Sequence, residues 1–301
     1  GCNIDLHTAD NLVQRVKPRE NLAVNAWWMC DYGRHDYEWI NYGDRIESPL
    51  IRDGTGSSRA IGWKDALTSL LEVAERLGGK SIQVVGSPRG SNEDLAALAG
   101  FQDALGGGNK LFRVSQADQE QVLPGFPTLA RRKDLAPNVA GAELLGITRV
   151  GDADGTGGLE EVRDHDGVIV VLGDPLEDQD ESFGVNAELY VYLGTHECAA
   201  TEAAHLVLPI TTFAEQEGTF TNHEGRVQRF WPALQPPGMA RPAWLILGAI
   251  LAELADGTAP RTAAEAFGSL SAVIPALSGL SYEGIGMSGT PSAMATHASA
   301  D

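Results

Sequence analysis

The chain has 301 residues, 43% of them apolar, with 22 Lys and Arg against 41 Asp and Glu, for a formal net charge of −19. That length suits two domains or one large α/β unit, and the apolar fraction supports a sizeable core, which excludes wholesale disorder. So acidic a composition excludes nucleic-acid binding by charge, which needs a basic stripe, and docking on an anionic membrane surface.

No stretch approaches the ~20 apolar residues of a membrane span, so direct membrane insertion is not expected; the most apolar helix candidate, Trp244 to Leu254, is too short. The opening GCNIDLHTADN lacks the basic-then-apolar pattern of a signal peptide. A start at Gly1 instead of Met reads as a cut from something longer. Cys2, Cys30 and Cys198, an odd set, fit a reducing compartment with thiols free or on metal.

Residues 1–50 are polar, with short strands expected, one at Asn11–Val16. From Ile61, the series Trp63, Ala66, Leu67, Leu70, Leu71, Ala74 and Leu77 has helical spacing, with Gly78-Gly79 as the stop. Ser81–Gly86 predicts a buried strand, and Ser91 or Asn92 can cap a helix from Glu93 to Leu105, ended by Gly106-Gly107-Gly108. Residues 109–165 are weakly patterned, with a surface loop expected at 151–158. Strands return at Gly167–Gly173, Leu189–Gly194 and His205–Leu208. Their runs are continuously apolar, as in parallel strands covered on both faces, so a mostly parallel, doubly wound α/β sheet with flanking helices is predicted. Ala243–Ala255 reads as the last helix, with Pro242 at its start, and 277–301 as a loosely held tail.

Cys2 and Cys30 have 27 residues between them, a weak signal alone. Two thiolates cannot complete a tetrahedral zinc site or a four-iron cluster. His7 and His35 are alternative ligand candidates, and lone histidines are usually structural. Cys198 with His196 could form a nucleophile pair, but no third group accompanies them, which favours a plain buried thiol. GSPRGS at 86–91 is a strand-to-helix turn without the Gly-Lys-Ser/Thr of a phosphate loop. In GTFTNHEGR, 218–226, Gly218 and Gly225 allow close approach, and Thr219, Thr221, Asn222 and Arg226 offer donors to a phosphate or pterin edge. Glu215, Glu217 and Glu224 could pair with Arg226 or Arg229. The competing reading is a polar loop held by its own hydrogen bonds.

The order of these motifs resembles the molybdopterin oxidoreductase superfamily. There a C-x2-C-x3-C-x27-C set precedes C-D-x-G-R, Pro-Leu-x-Arg and Trp-x-x-Ala-Leu. Cys2 and Cys30 match the last two cysteines, followed by Cys30 to Arg34, Pro49 to Arg52 and Trp63 to Leu67. Residues 204–230, AHLVLPITTFAEQEGTFTNHEGRVQRF, and PNVAGAELLGI at 137–147 look most like the large iron–sulfur subunit of respiratory complex I, the NADH:quinone oxidoreductase.

The resemblance implies a 4Fe–4S cluster with two ligands here, Cys2 and Cys30, and two upstream of Gly1. Arg34 would sit beside the cluster. Thr219, Thr221, Asn222 and Arg226 would belong to a vestigial pterin loop crossing near the sheet's C-terminal edge. The segment 85–145 has no Cys to bind molybdenum, and Ser87, Ser91 and Ser115 lie in no ligand motif. A cofactor-less pterin-type domain is therefore expected. The implied division is a cluster-edge segment at 1–50, an α/β domain at 51–258 and a partly flexible extension at 259–301. The implied partners are complex I peripheral-arm subunits, among them flavoprotein and quinone-site subunits, at the cytoplasmic face of a bacterial inner membrane. A fragment of an active formate-dehydrogenase-like enzyme and a non-redox interaction module are the alternatives.

Overall fold

The computed structural model describes residues 1–52, 57–77 and 81–293. The chain opens with an antiparallel hairpin, β1 (Ile4–Ala9) and β2 (Leu12–Pro18). Asp10 and Asn11 form its turn with φ of 52° and 58°, a left-handed pair that Asp and Asn tolerate and that the hairpin's twist requires. Asn11 is therefore turn, not strand as expected. Val13, Val16, Met29 and Ile40 build a small separate core under this segment. A short helix, α1 (Asp31–His35), follows Cys30.

The chain then runs β3 (Leu50–Arg52), β4 (Ser58–Ala60), α2 (Trp63–Leu77), β5 (Ile82–Gly86), α3 (Asn92–Leu105) and β6 (Lys110–Phe112). The weakly patterned stretch holds a hairpin, β7 (Gln121–Leu123) and β8 (Phe126–Arg131), then α4 (Val139–Leu144), β9 (Thr148–Arg149) and α5 (Glu160–Arg163). Next come β10 (Val168–Leu172), β11 (Leu189–Gly194), β12 (Leu206–Pro209), β13 (Gly218–Thr221), β14 (Arg226–Phe230) and α6 (Ala243–Leu254). The chain continues through α7 (Ala263–Val273), α8 (Tyr282–Ile285) and β15 (Thr290–Pro291). The expected stop at Gly78-Gly79 lies outside the described residues.

The main sheet has the order β4-β3-β12-β11-β10-β5-β6-β9. The run from β12 to β9 is parallel; β3 and β4 close it antiparallel. Strand order reverses beside β5, which leads to β6 on one side and has β10 on the other. The parallel strands are apolar throughout because alternate residues feed two cores. Val84, Val170, Val191 and Leu208 face α2, α3 and α6. Val85, Val171, Tyr192 and Val207 face the other layer with Val162 of α5 and Phe183. That second layer is mostly irregular chain, so one winding of the sheet is covered by loops more than by helices. A Cβ on Gly108, whose φ is +144°, would overlap the Ile82 carbonyl, so the α3–β6 turn needs glycine.

Ser91, of the two candidate caps, caps α3. Its Oγ accepts the Asp94 N–H at 3.0 Å, while Asp94 Oδ2 accepts from the Ser91 N–H at 3.1 Å and hydroxyl at 2.8 Å, a reciprocal capping box. Asp94 Oδ2 also accepts from Gln216 Nε2 at 2.7 Å, and Oδ1 accepts the Trp244 N–H at 3.0 Å in the first turn of α6. One buried carboxylate thus closes two helix N-termini.

The loose tail expected from residue 277 does not hold as far as 293. Leu277, Tyr282 and Ile285 bury against Phe267 and Trp244, and β15 pairs with β14. The apolar residues there are too widely spaced to show periodicity, and packing supplied by α6 and α7 orders them. Ala243–Leu254 is likewise not the last helix; residues 294–301 lie outside the described ones.

Asp94→Ala, leaving several buried donors unpaired, is expected to cost about 3 kcal/mol or more. Ser91→Ala, losing one cap, should cost about 1 kcal/mol. Denaturant melts of the two variants would check the difference; equal losses would contradict the shared role of Asp94.

Candidate functional site

Cys2 and Cys30 open onto one cavity of about 480 Å³. Its walls come from Trp28, Met29 and Trp39 of the first segment, from residues 129–143, and from His223 and Glu224 at the β13–β14 turn. Cys30 caps α1, its Sγ accepting the Gly33 N–H at 3.5 Å. Burial raises the Cys2 thiol pKa; the positive charge of the Gly1 amino group works against this, and the charge on Cys30 adds to it. Among the described residues, no group of three or more His, Cys, Asp or Glu side chains could hold a metal ion. A four-iron cluster needs about four ligands, and this cavity presents two thiols.

The other candidates near this pair lie off the cavity wall. Arg34 pairs with Asp31 at 3.7 Å on the surface, and His7 bonds Arg15 at 3.3 Å on the opening hairpin. His35 sits in α1 without lining the cavity. The basic side chains that do line it are Arg89, Arg131 and Arg132. Arg89 lies over the Trp39 ring at 5.2 Å and 3.5 Å from Asp36.

A second cavity of about 330 Å³ lies at the C-terminal ends of β5, β6 and β10. This is the switch point of the sheet, where such folds keep their ligand crevice. Ser87 and Arg89 of the 86–91 turn, Arg113, Asp154, Asp174 and Asp178 line it. The 151–158 loop, expected at the surface, is its rim. Arg113 is buried and bonds Asp178, the Gly157 carbonyl and the Pro175 carbonyl. Burial pushes the Asp178 carboxyl up, but the hydrogen bonds and charge of Arg113, helped by Gln179, bring it down to about 2. Asp174 accepts from the Tyr192 and Thr195 hydroxyls at 2.9 and 2.8 Å. Arg89 and Tyr32 line both cavities, which therefore share a wall.

The expected pterin loop is the β13–β14 hairpin, and it docks on the start of α3. The Thr219 N–H and hydroxyl both reach the Glu93 carboxylate at 2.9 Å. Asn92 Nδ2 donates to the Thr219 and Thr221 hydroxyls at 3.0 and 3.1 Å, and Asn138 Oδ1 accepts the Thr221 N–H at 2.8 Å. Asn222 Oδ1 accepts from the Glu224 and Arg226 N–H groups, and Arg226 Nη1 donates to the Gly289 carbonyl. Thr219, Thr221, Asn222 and Arg226 line neither cavity. The pairing expected for the nearby carboxylates is different in the structure. Glu215 forms a buried two-pronged pair with Arg45 at 2.8 and 2.9 Å, Glu217 accepts from the Tyr282 hydroxyl, and Glu224 lies by His223. Arg229 lies over the rings of Tyr282 and Trp231. Sequence spacing suggested Arg226 or Arg229 as partners, whereas Glu215 reaches Arg45, Glu217 reaches Tyr282, and Glu224 stays local beside His223.

Burial raises the Cys198 thiol, which runs against an activated nucleophile, and His196 bonds Thr195 instead. Glu93 is the residue that sequence reading passed over. It looked like an ordinary first-turn acid, yet it is fully buried, and its carboxyl is pushed up to about 7 by desolvation against the Thr219 hydrogen bonds. The S-N-E-D capping pattern was the available signal.

Comparison with known proteins bears out the family resemblance. Residues 161–253 match the family model described as molybdopterin oxidoreductase. The alpha subunit of F420-dependent formate dehydrogenase 2 from Methanococcus maripaludis is 41% identical over 88 residues, 29% of this chain and 13% of that protein. A subunit of the NADH-quinone oxidoreductase of Pseudomonas putida is 31% identical over 176 residues, 58% of this chain and 16% of that protein. The chain therefore spans a small part of these relatives' length. The acetylene hydratase of Pelobacter acetylenicus shares the fold, with a TM-score of 0.52 and 8% identity over 94% of this chain and 71% of that one.

The folded state favours the protonated Glu93 carboxyl, so the stability this group contributes is full below its ordinary 4.5 and is lost as pH rises through about 7. Glu93→Gln mimics the protonated form. Its stability relative to wild type should rise across that window by about 3 kcal/mol. Melts between pH 5 and pH 8 would check this, and a pH-independent difference would contradict it.

Proposed function

We propose, from a chain whose residues 161–253 match the molybdopterin oxidoreductases, that it is part of an electron-transfer and scaffold subunit of a complex I-type NADH:quinone oxidoreductase. The observation that carries this reading is the Cys2–Cys30 pair on one cavity wall, with a backbone N–H directed at the Cys30 sulfur. The donor set fits half of a 4Fe–4S site, Cys2 and Cys30 supplying two thiolates and the family pattern expecting two more ahead of Gly1. Such a cluster supplies one-electron transfer, with a potential set by hydrogen bonds to its sulfurs and by burial. The chain's own contribution is to hold the two thiols, exclude water with Trp28, Met29 and Trp39, and keep Arg89 near the site.

A pterin dinucleotide does not fit the donors at the switch point. At the start of α3, where a phosphate would meet free N–H groups, the Ser91 N–H is bonded by the Asp94 carboxylate and the Asp94 N–H by the Ser91 hydroxyl. The adjoining crevice carries Asp154, Asp174, Glu177 and Asp178 against two arginines, one of them already bound by Asp178. Phosphate groups would meet mainly negative charge there. On this reading residues 1–50 are the cluster-edge segment, 51–258 the α/β domain that lost its cofactor, and 259–301 an extension that packs on it. The partners are flavoprotein and quinone-site subunits at the cytoplasmic face of a bacterial inner membrane. No helix among the described residues is long and apolar enough to cross that membrane. An active formate-dehydrogenase-like enzyme is the second reading, favoured by the identity to the formate dehydrogenase of Methanococcus maripaludis.

Metal analysis of the protein purified without oxygen from its natural source tests the choice. Iron without molybdenum or tungsten is the expected result. Stoichiometric molybdenum or tungsten would overturn it in favour of the second reading. No metal at all would leave Cys2 and Cys30 as ordinary thiols in an interaction module.

A further inference from the structure

The two cysteines belong to different loops, and their relative placement needs a common support. Asn25 is buried, 2% exposed, and lines the cysteine cavity. Its Oδ1 accepts the N–H of Asn3, the residue after Cys2, at 2.9 Å. Its Nδ2 donates to the carbonyl of Trp28, two residues before Cys30, also at 2.9 Å. The same Nδ2 lies 3.3 Å from the Arg19 carbonyl and 3.5 Å from that of Asn3. The Asn25 carbonyl accepts the Trp28 N–H at 2.8 Å, so the Cys30 loop is bonded to both its backbone and its side chain.

The two loops have further supports on their outer sides. Gln228 Nε2 donates to the Gly1 carbonyl at 3.0 Å, and Gly33 bonds Cys30 Sγ. Asn21 bonds Asn3 and is bridged to Ala26. Gln228 and Gly33 each hold one loop, while Asn21 reaches Asn3 with its side chain and Ala26 with its backbone. The Asn25 amide bonds both loops, with the acceptor end on one and the donor end on the other. A carboxamide is the side chain that offers an acceptor and a donor on one rigid plane.

We infer that Asn25 is a positioning residue for the thiolate pair, fixing the separation and direction of Cys2 and Cys30 for a shared metal centre. This rests on the reading of the pair as metal ligands. A positioning residue of this kind acts on the geometry of the ligands, as outer hydrogen bonds do at other metal sites, where their loss typically costs 10–100-fold in affinity.

Cadmium is a suitable probe because it binds thiolates and reports each one by a sulfur-to-metal charge-transfer absorption. The 301-residue chain, its Asn25→Ala and Asn25→Asp variants, and Cys2→Ser as a control would be titrated with Cd²⁺ under reducing conditions, at a temperature where near-UV circular dichroism shows every variant folded. Asn25→Asp keeps the shape and the acceptor for Asn3 and loses the donor to Trp28, so it serves if the alanine variant does not fold. The expected result is tight 1:1 binding with a two-thiolate absorption in wild type. In the Asn25 variants the affinity should fall at least about tenfold and the absorption per bound ion should drop toward that of Cys2→Ser. Asn25 variants that bind with wild-type affinity and absorption, while Cys2→Ser does not, would overturn the role of Asn25 and leave the thiolate pair standing. Cys2→Ser binding like wild type would remove the pair as a metal site and the inference with it.

Discussion

The first turn of α3 is the constraint on which much of the rest depends. Ser91, Asn92, Glu93 and Asp94 are all buried, and a helix N-terminus leaves N–H groups that must find partners. The chain meets that requirement with its own Ser91–Asp94 capping box. Asp94 closes α3 and α6 together, and Glu93 and Asn92 bind the β13–β14 hairpin. Negative charge at a helix N-terminus is favourable, and two helices sharing one carboxylate are fixed relative to each other. A Cβ on Gly141 would overlap Asn92 Oδ1 and Asn138 Oδ1, so α4 approaches the same node as closely as glycine allows.

This arrangement has a chemical consequence at the switch point of the sheet. In open α/β folds the ligand crevice forms there because helix N-termini and strand ends converge. Here the helix end has been closed internally and the crevice carries mostly acidic side chains, several already paired. The fold's customary place for an anionic ligand is here a crevice lined by more carboxylates than arginines. The cysteine cavity is the contrasting case. It is walled by aromatic and apolar side chains and presents two sulfurs without a complete ligand set of its own.

The hairpin connects the two places mechanically. One edge rests on α3 through Thr219 and Thr221, while Gln228 on its other strand reaches the carbonyl beside Cys2. Arg89 and Tyr32 complete the connection at the shared wall, where burial and Asp36 raise the Tyr32 hydroxyl pKa. The hairpin, which lies within the stretch that matches the family, therefore serves as a brace between the first segment and the sheet; most of its polar groups bond within the fold, while Asn222 Nδ2 and Gln228 Oε1 are buried without a partner among the described residues.

The parallel core was legible because its strands are buried on both faces: Val168–Leu172 and Leu189–Gly194 are apolar at every position, a pattern fixed by local composition. α2 and α3 were legible from helical spacing and from Ser91 as cap, and the Cys2–Cys30 pair from its motif context. The region 109–165 was not, because β6, β9 and α5 are two to four residues long and take their form from neighbours. Nor could spacing reveal that Glu215 pairs with Arg45, that Arg89 stands between two cavities, or that Asn25 bonds both cysteine loops, since these contacts join residues far apart in the chain. By itself the sequence determined the parallel core strands, the longer helices, the family resemblance and the candidate ligands, which depend on local pattern. Only the tertiary structure decided which polar groups are spent on the fold and which remain for chemistry, because desolvation and partner choice exist only once distant segments have packed.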